Sequence, residues 1–443
     1  MSTPFEARLR ALKTPPVISR YFSEGEPADR MPPEKLARYQ LESLKALVQR
    51  AYEHSPFYQE KMKQAGIGPQ DIERLQDLSR LPFLTKDELR GKPWLLLTCD
   101  KKDVVLVQVS TGTTGGEEIY MAYTWNDYLL HDLSPQYKHL FPVGPGDICL
   151  NALPYEMSTA GLAFHKTFME GYQATVIPAG KGGAYSTATK TLKMVRDLSP
   201  NLIVTSPSWA ITLAEEAARS GISLPSLGLK KMWLTGEGCS AAFRQRVETL
   251  FGTTANYFYG SLECGALGIE CDAHNGYHLT QAHVLMEIVD PKTGVPLKQG
   301  EIGEIAVTAL LRYDSPVIRF RTGDLGYLET AACACGSTLS RFHLRGRAFD
   351  QLQFRGKALS PLLLEEFLMR MPEVGNWFQF VMPSSDSARI KIRCELAEGI
   401  QASTALAATI AGRMEEATRL PFDIEFVGHL PRTGGKAVRV VRE

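Results

Sequence analysis

The sequence predicts an α/β protein with a large amino-terminal domain and a small carboxy-terminal one. Three observations lead to this class: a length of 443 residues, an ordinary content of 44% apolar and 22% charged residues, and short apolar runs that alternate with helical patterns. A chain this long exceeds one compact core of ordinary size, so we expect a large multi-layer domain, 1–346, and a small α+β domain, 347–443. Strand, turn and helix in alternation require crossover connections, which predicts mostly parallel sheets covered by helices.

The predicted elements follow one another in a clear order. Residues 35–54 place apolar side chains at three- and four-residue intervals after a Pro-Pro-Glu start, which predicts an amphipathic helix. From residue 104 onward, short apolar runs end at Gly-, Ser- or Pro-marked turns, as strands of a covered sheet do. Between about 283 and 329, two β-rich runs flank a Pro-Lys-Thr-Gly turn, which predicts an antiparallel or β-barrel-like appendage.

Composition excludes several classes of function. Lys plus Arg and Asp plus Glu both number 49, and no dense basic tract stands out, so we expect no nucleic-acid partner. The amino terminus has no apolar core of signal-peptide length, and no stretch approaches the roughly 20 apolar residues of a membrane helix. We therefore expect a cytoplasmic protein without a membrane partner. Eight cysteines are too sparse for a disulfide scaffold and should stay reduced.

The string VSTGTTGG at 109–116 is the strongest local feature. A predicted strand leads into a loop of small and hydroxyl-bearing residues, where backbone amides can approach an anion closely. The Gly-Lys-Ser/Thr ending of a Walker loop is missing. The string predicts phosphate binding, with a flexible Gly/Thr turn as the alternative.

Six stretches, in the same order along the chain, resemble the adenylate-forming superfamily of acyl-CoA synthetases, adenylation domains and luciferases. Besides the phosphate loop they are TGEGCSAAFR (235–244), FYGSLECG (258–265), RFRTGDLG (319–326), GRAFDQLQFRGKALSP (346–361) and PRTGGKAVRV (431–440). Chance agreement of six ordered motifs is very improbable. Residues 54–90 and CACGSTLSRF (333–342) resemble phenylacetate-CoA ligases in particular.

The resemblance implies a reaction in two steps. ATP and Mg²⁺ would activate a carboxylic acid, aryl or arylacetic, as its acyl-adenylate with release of pyrophosphate, and coenzyme A would then accept the acyl group. The partners would be these small molecules, and the protein would be a monomer or homodimer. An adenylate delivered to an amine or a carrier-protein thiol remains an alternative, as does a degenerate nucleotide-binding relative.

The resemblance also assigns the residues that face the phosphates. Because charge accumulates on phosphate oxygens, catalysis needs fixed donors, a cation and a metal more than a general base. Lys436 would supply a mobile catalytic cation; taken alone, its string would indicate a solvated tail lysine. Glu263 would coordinate Mg²⁺, which prefers oxygen ligands. The phosphate-binding residues would be Ser110, Thr111, Gly112, Thr113, Thr114 and Gly115, with Thr111 also catalytic.

The remaining nucleotide residues come from three other motifs. Tyr259, next to Gly260, would stack on adenine, and Asp324 would accept hydrogen bonds from the ribose hydroxyls. The opposite wall of the adenine site would be formed by Gly236, Glu237 and Gly238. Asp350 corresponds to the hinge about which a mobile carboxy-terminal domain turns after adenylation, although an ordinary turn aspartate is the alternative. Arg347, beside it, would touch the nucleotide or be solvated.

By analogy with the family, the acid would bind along LPYEMSTAGLAFH (153–165) and around Pro207. The side chains suggest an apolar, partly aromatic slot of the kind that an aryl acid needs. The predicted lining residues are Tyr155, Met157, Ala160, Gly161 and Pro207. The alternative is that half of them are core residues.

Two departures from the family concern the phosphates. Glu117 and Glu118 follow the loop where relatives have a Lys-Pro-Thr-like continuation, and acids beside a triphosphate are unfavourable unless they point away or bind metal. Leu262 stands where relatives carry a hydroxyl residue, and we expect the adjacent Ser261 to face elsewhere. One charge-assisted hydrogen bond, worth about 1.5–3 kcal/mol, would then be missing.

Four residues form a candidate metal site. Three thiolates and one imidazole, from Cys271, His278, Cys333 and Cys335, are a donor set for closed tetrahedral Zn²⁺. The spacing of these residues is not that of a common zinc finger, but the resemblance to phenylacetate-CoA ligases implies a similar structural zinc, which some of those relatives look as though they carry. We predict a structural zinc because four protein ligands leave no open position, with buried free thiols as the alternative. His274 and Cys264 are alternate ligands.

Overall fold

The computed structural model describes residues 17–22, 27–110, 117–130, 137–157, 159–383, 387–432 and 435–442. The chain forms two compact units: unit 1 comprises Met1–Pro178 and Asn256–Leu344, and unit 2 comprises Ala179–Ala255 and Arg345–Glu443. The predicted α/β class is confirmed, with parallel and antiparallel strand pairs both present. One unit boundary lies two residues before the predicted domain boundary, but unit 2 also includes 179–255, so the two-domain division stays a prediction.

The helices start where capping residues place them. Thr85 and Glu88 form a reciprocal capping box, and Ser206 and Ser240 each accept a hydrogen bond from an amide in the first turn that follows. Among the described residues, no helix is both long and apolar enough to span a bilayer. The α-helices are α1 (Ile18–Tyr21), α2 (Pro33–His54), α3 (Pro56–Gln64), α4 (Lys86–Leu89), α5 (Trp125–Leu130), α6 (Thr159–Lys166), α7 (Ala188–Leu198), α8 (Pro207–Arg219), α9 (Ala241–Phe251), α10 (Pro361–Leu368) and α11 (Thr404–Thr418). Short 3₁₀ turns lie at Ala28–Arg30, Pro69–Asp71, Leu75–Arg80, Lys101–Asp103 and Leu224–Leu227, and a π-helical turn at Thr167–Gly171.

The strands are short, as the turn-bounded apolar runs predict, except for β12. They are β1 (Val104–Val109), β2 (Tyr120–Thr124), β3 (Ile148–Ala152), β4 (Thr175–Pro178), β5 (Leu202–Thr205), β6 (Lys231–Thr235), β7 (Ala255–Ser261), β8 (Gly265–Glu270), β9 (Tyr277–Leu279), β10 (Val284–Val289), β11 (Gly303–Ala309), β12 (Val317–Glu329), β13 (Arg341–Arg347), β14 (Leu352–Phe354), β15 (Lys357–Leu359), β16 (Val374–Val381), β17 (Ile390–Leu396), β18 (Phe422–Phe426) and β19 (Val440–Val441).

Unit 1 is built on seven neighbouring strands in the order β10-β11-β12-β13-β9-β8-β7. The predicted antiparallel pairing around 283–329 is present in β10–β11 and β11–β12, and antiparallel pairing continues through β9, β8 and β7. β3 and β4 pair in parallel. The predicted helix 35–54 lies within α2, whose Tyr39 hydroxyl donates to the Ala282 carbonyl at 2.7 Å.

Unit 2 contains the parallel pair β5–β6 and a four-stranded sheet in the order β18-β17-β16-β19. Helices α8 and α9 directly follow β5 and β6, so the loops at Ser206 and at 236–240 lie at the carboxyl ends of parallel strands. Such loops form binding sites in open α/β sheets. Arg246 of α9 donates to the carbonyls of Met369, Met371 and Val374 at 2.6–2.7 Å, which ties α9 to the end of α10.

Candidate active site

Ser110 closes the neck of the predicted phosphate loop at the end of β1. Its amide donates to the Ile119 carbonyl at 2.9 Å, and its hydroxyl accepts from the Ile119 amide at 3.1 Å. The two ends of the loop are therefore held together by a pair of hydrogen bonds. The other predicted phosphate residues, Thr111, Gly112, Thr113, Thr114 and Gly115, lie outside the described residues.

Glu117, one of the two acids after the loop, has its side chain against Gly91. A Cβ atom added at Gly91 would lie 2.3 Å from the Glu117 Oε2, and the φ of Gly91 is +65°, a backbone conformation that favours glycine. Arg90 donates to the Glu117 carbonyl at 2.9 Å, and the Gly91 amide donates to the Glu118 carbonyl at 3.0 Å. These contacts hold the segment after the phosphate loop against residues 90–91.

Tyr259 and Asp324, the predicted adenine and ribose residues, are brought together in unit 1. Tyr259 lies on β7 and Asp324 on β12, and the Tyr259 hydroxyl donates to the Asp324 Oδ2. Tyr259 also packs beside the Phe342 ring, with centroids 5.7 Å apart. Gly260, the next residue on β7, is close to the start of β8. A Cβ atom there would lie 2.8 Å from the Gly265 carbonyl oxygen, so this position requires a residue without a side chain.

The acidic residue predicted to bind Mg²⁺, Glu263, lies in the turn between β7 and β8 and is only 7% exposed. Among the described residues its carboxylate makes no hydrogen bond or ion pair, which leaves its oxygens available to a cation. The neighbouring Ser261 hydroxyl accepts from the Cys264 amide at 3.1 Å, a contact within the turn that follows β7. That Ser261 does not replace the hydroxyl missing at Leu262 stays a prediction. A buried carboxylate is a suitable oxygen ligand for a hard metal.

The predicted acid-binding segment surrounds a polar chain of three side chains. The Asn151 amide donates to the Tyr155 hydroxyl at 2.9 Å, and that hydroxyl lies 3.1 Å from His165 Nδ1. Burial is the largest effect on Tyr155 and raises the pKa of its hydroxyl, so this group remains a neutral donor. A Cβ atom at Gly161 would lie 2.3 Å from the Pro154 carbonyl oxygen, so this position requires glycine.

The other predicted lining residues differ in exposure. Ala160 is half-buried at the start of α6, whereas Met157 is 69% exposed with a positive φ of 53°. In unit 2, Pro207 is buried in the first turn of α8.

Glu237, in the predicted adenine loop of unit 2, has a buried carboxylate that accepts several hydrogen bonds. Its Oε1 accepts from the Ser208 hydroxyl at 2.5 Å and from Lys181 Nζ at 3.2 Å, and its Oε2 accepts from the Ala437 amide at 3.2 Å. Burial, the largest effect, would raise the pKa of Glu237, but the Lys181 charge and the Ser208 hydrogen bond, with smaller contributions from Arg439 and Ser206, outweigh it and lower the pKa. Glu237 is therefore ionised.

Gly236 and Gly238, on either side of Glu237, lie in unit 2 together with Lys436. Gly236 has a φ of +87°, which favours glycine, and Leu362 lies against Gly238. Lys436 is half-buried and precedes β19, which pairs in parallel with β16.

Asp350, the predicted hinge residue, lies in the turn between β13 and β14. The carbonyls of Arg345 and Arg347 both accept from the Gln351 side-chain amide, at 3.3 and 2.9 Å. The Arg442 guanidinium lies 4.5 Å from the centroid of the exposed Phe349 ring. These contacts surround Asp350 without involving its carboxylate, so hinge motion at this turn stays a prediction.

The four predicted zinc ligands come together in unit 1. The ligand atoms of Cys271, His278, Cys333 and Cys335 all lie within 4.8 Å of one another. The Cys271 and Cys333 sulfurs are 3.6 Å apart, and Cys335 Sγ is 3.3 Å from His278 Nε2. A tetrahedral zinc with bonds of about 2.0–2.3 Å needs ligand separations of about 3.5–3.8 Å, whereas a disulfide needs about 2.05 Å. The spacing therefore fits a tetrahedral metal site and excludes a disulfide between Cys271 and Cys333.

A comparison with protein families identifies the chain. The model of a family described as AMP-binding enzyme matches residues 33–309. The chain belongs to the AMP-binding enzyme family. The predicted resemblance to adenylate-forming enzymes is thereby confirmed.

Two relatives of this AMP-binding enzyme match it almost end to end. It is 32% identical over 438 residues to a phenylacetate-coenzyme A ligase of Thermus thermophilus, covering 93% of this chain and 97% of the relative. It is 31% identical over 432 residues to a phenylacetate-coenzyme A ligase of Escherichia coli, covering 94% and 96%. The predicted phenylacetate-CoA ligase-like branch is thereby confirmed.

The fold of this AMP-binding enzyme has solved counterparts. A crystal structure of 2-hydroxyisobutyryl-CoA ligase in the postadenylation state, in complex with 2-HIB-AMP, superimposes with a TM-score of 0.87 at 22% identity and covers 95% of each chain. The fold is that of an acyl-CoA ligase.

Sequence reasoning missed two lysines of this AMP-binding enzyme. Lys86 is the first residue of α4, and its ammonium lies close to Gly323, the residue before Asp324. A Cβ atom added at Gly323 would be 3.6 Å from Lys86 Nζ. Lys181 is buried beside Glu237, between Gly180 and Gly182, which have φ values of +71° and +68°. The Gly-Lys-Gly string was the available indication for Lys181, and the Thr-Lys-Asp-Glu capping box for Lys86.

Proposed function

We propose that this AMP-binding enzyme activates an aryl or arylacetic acid with ATP and transfers it to coenzyme A. The observation that carries the proposal is the end-to-end similarity to phenylacetate-coenzyme A ligases, which extends over more than nine-tenths of the chain. In the first step, a carboxylate oxygen attacks the α-phosphate of ATP and pyrophosphate leaves. In the second, the thiolate of coenzyme A attacks the carbonyl carbon and AMP leaves.

The nucleotide would lie between the residues already described on β7 and β12. Tyr259 offers a ring face to adenine while its hydroxyl fixes the Asp324 carboxylate, which can accept from the ribose hydroxyls. Lys436 would bring positive charge to the α-phosphate as the carboxylate attacks, and its effect would be largest in the transition state, where charge develops. Glu263 would hold Mg²⁺, which neutralises phosphate charge when it is bound.

The proposed acid class rests on the character of the segment around α6. Five aromatic rings pack against one another next to this helix, and Phe164 of α6 lies 4.9 Å from Phe258 by ring centroids. The five rings are Phe141, Phe164, Phe168, Tyr172 and Phe258. An apolar, aromatic environment with a few polar groups, such as the Tyr155 hydroxyl, suits a flat aryl group better than a charged side chain.

We also propose that the Cys271, His278, Cys333 and Cys335 cluster binds one structural zinc ion. The donor set and its spacing fit tetrahedral zinc, and the Ser337 amide donates to the Cys335 sulfur at 3.4 Å, which favours the thiolate that a metal needs. Four protein ligands leave no position for substrate, so this zinc would stabilise unit 1 without taking part in acyl transfer.

The test of the proposed reaction is carboxylate-dependent exchange of labelled pyrophosphate into ATP across a panel of aryl, arylacetic, aliphatic and hydroxy acids. We expect the fastest exchange with arylacetic or aryl acids, and faster exchange with an aliphatic acid would contradict the acid class. Product analysis with coenzyme A, amines and a holo-carrier protein then identifies the acceptor. An amide or a carrier-bound product without acyl-CoA would overturn coenzyme A as acceptor, and no exchange with any acid would indicate a degenerate relative.

A further inference from the structure

Both peptide groups that flank Lys436 are held by one buried ion pair. Lys181 Nζ donates to the Gly435 carbonyl at 2.8 Å, and Glu237 Oε2 accepts from the Ala437 amide at 3.2 Å. These two groups belong to the peptide bond before Lys436 and the peptide bond after it. Fixing both bonds restricts the two backbone angles of Lys436, which determine where its side chain starts.

The ion pair itself is buried and hydrogen-bonded. The Lys181 and Glu237 side chains are 3% and 8% exposed, and their charged atoms lie 3.2 Å apart. Ser208, in the first turn of α8, adds its hydroxyl to the same Glu237 oxygen. Buried charges are costly unless they are paired and hydrogen-bonded. Lys181 and Glu237 therefore stabilise each other, and the hydrogen bonds to the loop satisfy both of them further.

Lys181 and Glu237 both lie in loops beside glycines that have positive φ. Lys181 directly precedes a short loop, 182–186, that is closed by the Gly182 amide donating to the Ser186 carbonyl at 3.1 Å. Glu237 is the second residue after the end of β6, next to Gly236. Two loop segments, 56 residues apart in sequence, thus present an ammonium and a carboxylate to the 435–437 loop.

We infer that Lys181 and Glu237 are positioning residues that clamp the 435–437 loop and hold Lys436 in its adenylation position. The inference rests on the proposed role of Lys436. Neither residue needs to touch ATP or the acid, since both act on the backbone beside Lys436. If residues 347–443 turn about Asp350 after adenylation, the two loop contacts must break, so the clamp belongs to the first half-reaction alone.

The decisive experiment measures the two half-reactions separately in Lys181→Met. The acid is phenylacetate, or whichever acid of the panel supports faster pyrophosphate exchange than phenylacetate. The synthetic acyl-adenylate of that acid is the probe for the second step. We expect pyrophosphate exchange to fall by about 10- to 100-fold in kcat, as small misplacements of catalytic groups do. The KM for ATP should change less than about threefold, and thioester formation from the supplied adenylate should stay within about twofold, since Lys436 acts only in the first step.

Three further variants distinguish positioning from other roles. Lys181→Arg keeps the charge and its donors and should restore a large part of exchange. Lys193→Met makes the same chemical change at an exposed lysine paired with Asp197 on α7 and should change neither half-reaction. Added to Lys436→Ala, Lys181→Met should cause no further loss of exchange, because it acts through Lys436.

The outcomes separate this inference from the proposed function. Full exchange in Lys436→Ala would refute the role of Lys436 itself. Loss in Lys436→Ala with full exchange in Lys181→Met would overturn the clamp alone, and so would a further loss in the double variant. If Lys181→Met does not fold, Glu237→Gln, which keeps the side-chain shape, takes its place. An equal loss of both half-reactions in that folded variant would overturn the clamp.

Discussion

Replacing Cys333 by serine should remove the zinc ion from unit 1. In the wild type, we expect one zinc per chain, with three Zn–S bonds of about 2.3 Å and one Zn–N bond of about 2.0–2.1 Å by X-ray absorption. The expectation follows from the ligand separations of 3.6 Å between Cys271 and Cys333 and of 3.3 Å between Cys335 and His278. With three ligands left, Cys333→Ser should retain well below one equivalent of zinc after dialysis.

The cost in stability can be worked out from linkage. Free zinc at about 1,000 times its Kd stabilises the folded state by about 4 kcal/mol. If all 443 residues unfold together, the unfolding entropy is about 0.9 kcal/mol per degree, so zinc loss should lower Tm by about 4 °C. Thermal unfolding with and without a chelator measures this shift. Cys99→Ser, at a half-buried cysteine of the same unit outside the cluster, should keep both zinc and Tm.

A structural zinc ion should be dispensable for acyl transfer. The four protein ligands leave no open position on the zinc, so the ion should take no part in the reaction. The Cys333→Ser variant, assayed at a temperature at which it is still folded, should therefore keep its acyl-CoA ligase activity. Wild-type protein without stoichiometric zinc, and with a Tm that chelator does not change, would refute the reasoning.

Two other changes have definite expected results. Glu263→Gln should raise the Mg²⁺ concentration for half-maximal exchange by at least about tenfold without lowering Tm, because the buried carboxylate has no partner among the described residues; an unchanged Mg²⁺ titration would contradict this. Asp127→Asn tests a buried carboxyl in unit 1: burial first, then the nearby Asp314 charge, raises the Asp127 pKa from 3.8 to about 6. A raised pKa in an acid stabilises the folded state at low pH, and this contribution is lost as pH rises through 6. Chemical unfolding should therefore show the wild type losing about 1 kcal/mol relative to Asp127→Asn between pH 5 and 7.5, whereas a constant or growing difference would contradict the shift.

The sequence predicts those parts of the molecule whose causes are local. The helix at 35–54 and the β10–β11 pair follow from apolar spacing and from a turn, which depend on neighbouring residues. The cysteine and histidine cluster could be predicted because few residue types bind zinc, so four of them narrow the choice even when they are distant in sequence. Tyr259 and Asp324 were found through motifs, and the structure adds their direct hydrogen bond.

The sequence does not predict contacts that depend on tertiary structure. Lys181 and the Gly435 carbonyl are 254 residues apart, and no spacing rule connects a lysine to one distant backbone oxygen. Glu237 was assigned to the adenine wall from its motif, but its carboxylate is directed to Lys181, Ser208 and Ala437. The position of Glu117 against Gly91 likewise depends on how residues 90–91 pack. In each of these three cases, the role of the side chain depends on which distant residue it contacts, and the residue type alone does not reveal that contact.

The path of the oxygen atoms tests the central claim most directly. The enzyme is supplied with ATP, Mg²⁺, coenzyme A and an acid labelled with ¹⁸O in its carboxylate, and the products are analysed by mass spectrometry. If the carboxylate attacks the α-phosphate, each turnover leaves one ¹⁸O atom in AMP and none in pyrophosphate, alongside one acyl-CoA. Label in inorganic phosphate or pyrophosphate, or acyl-CoA formed with unlabelled AMP, would contradict the adenylate mechanism.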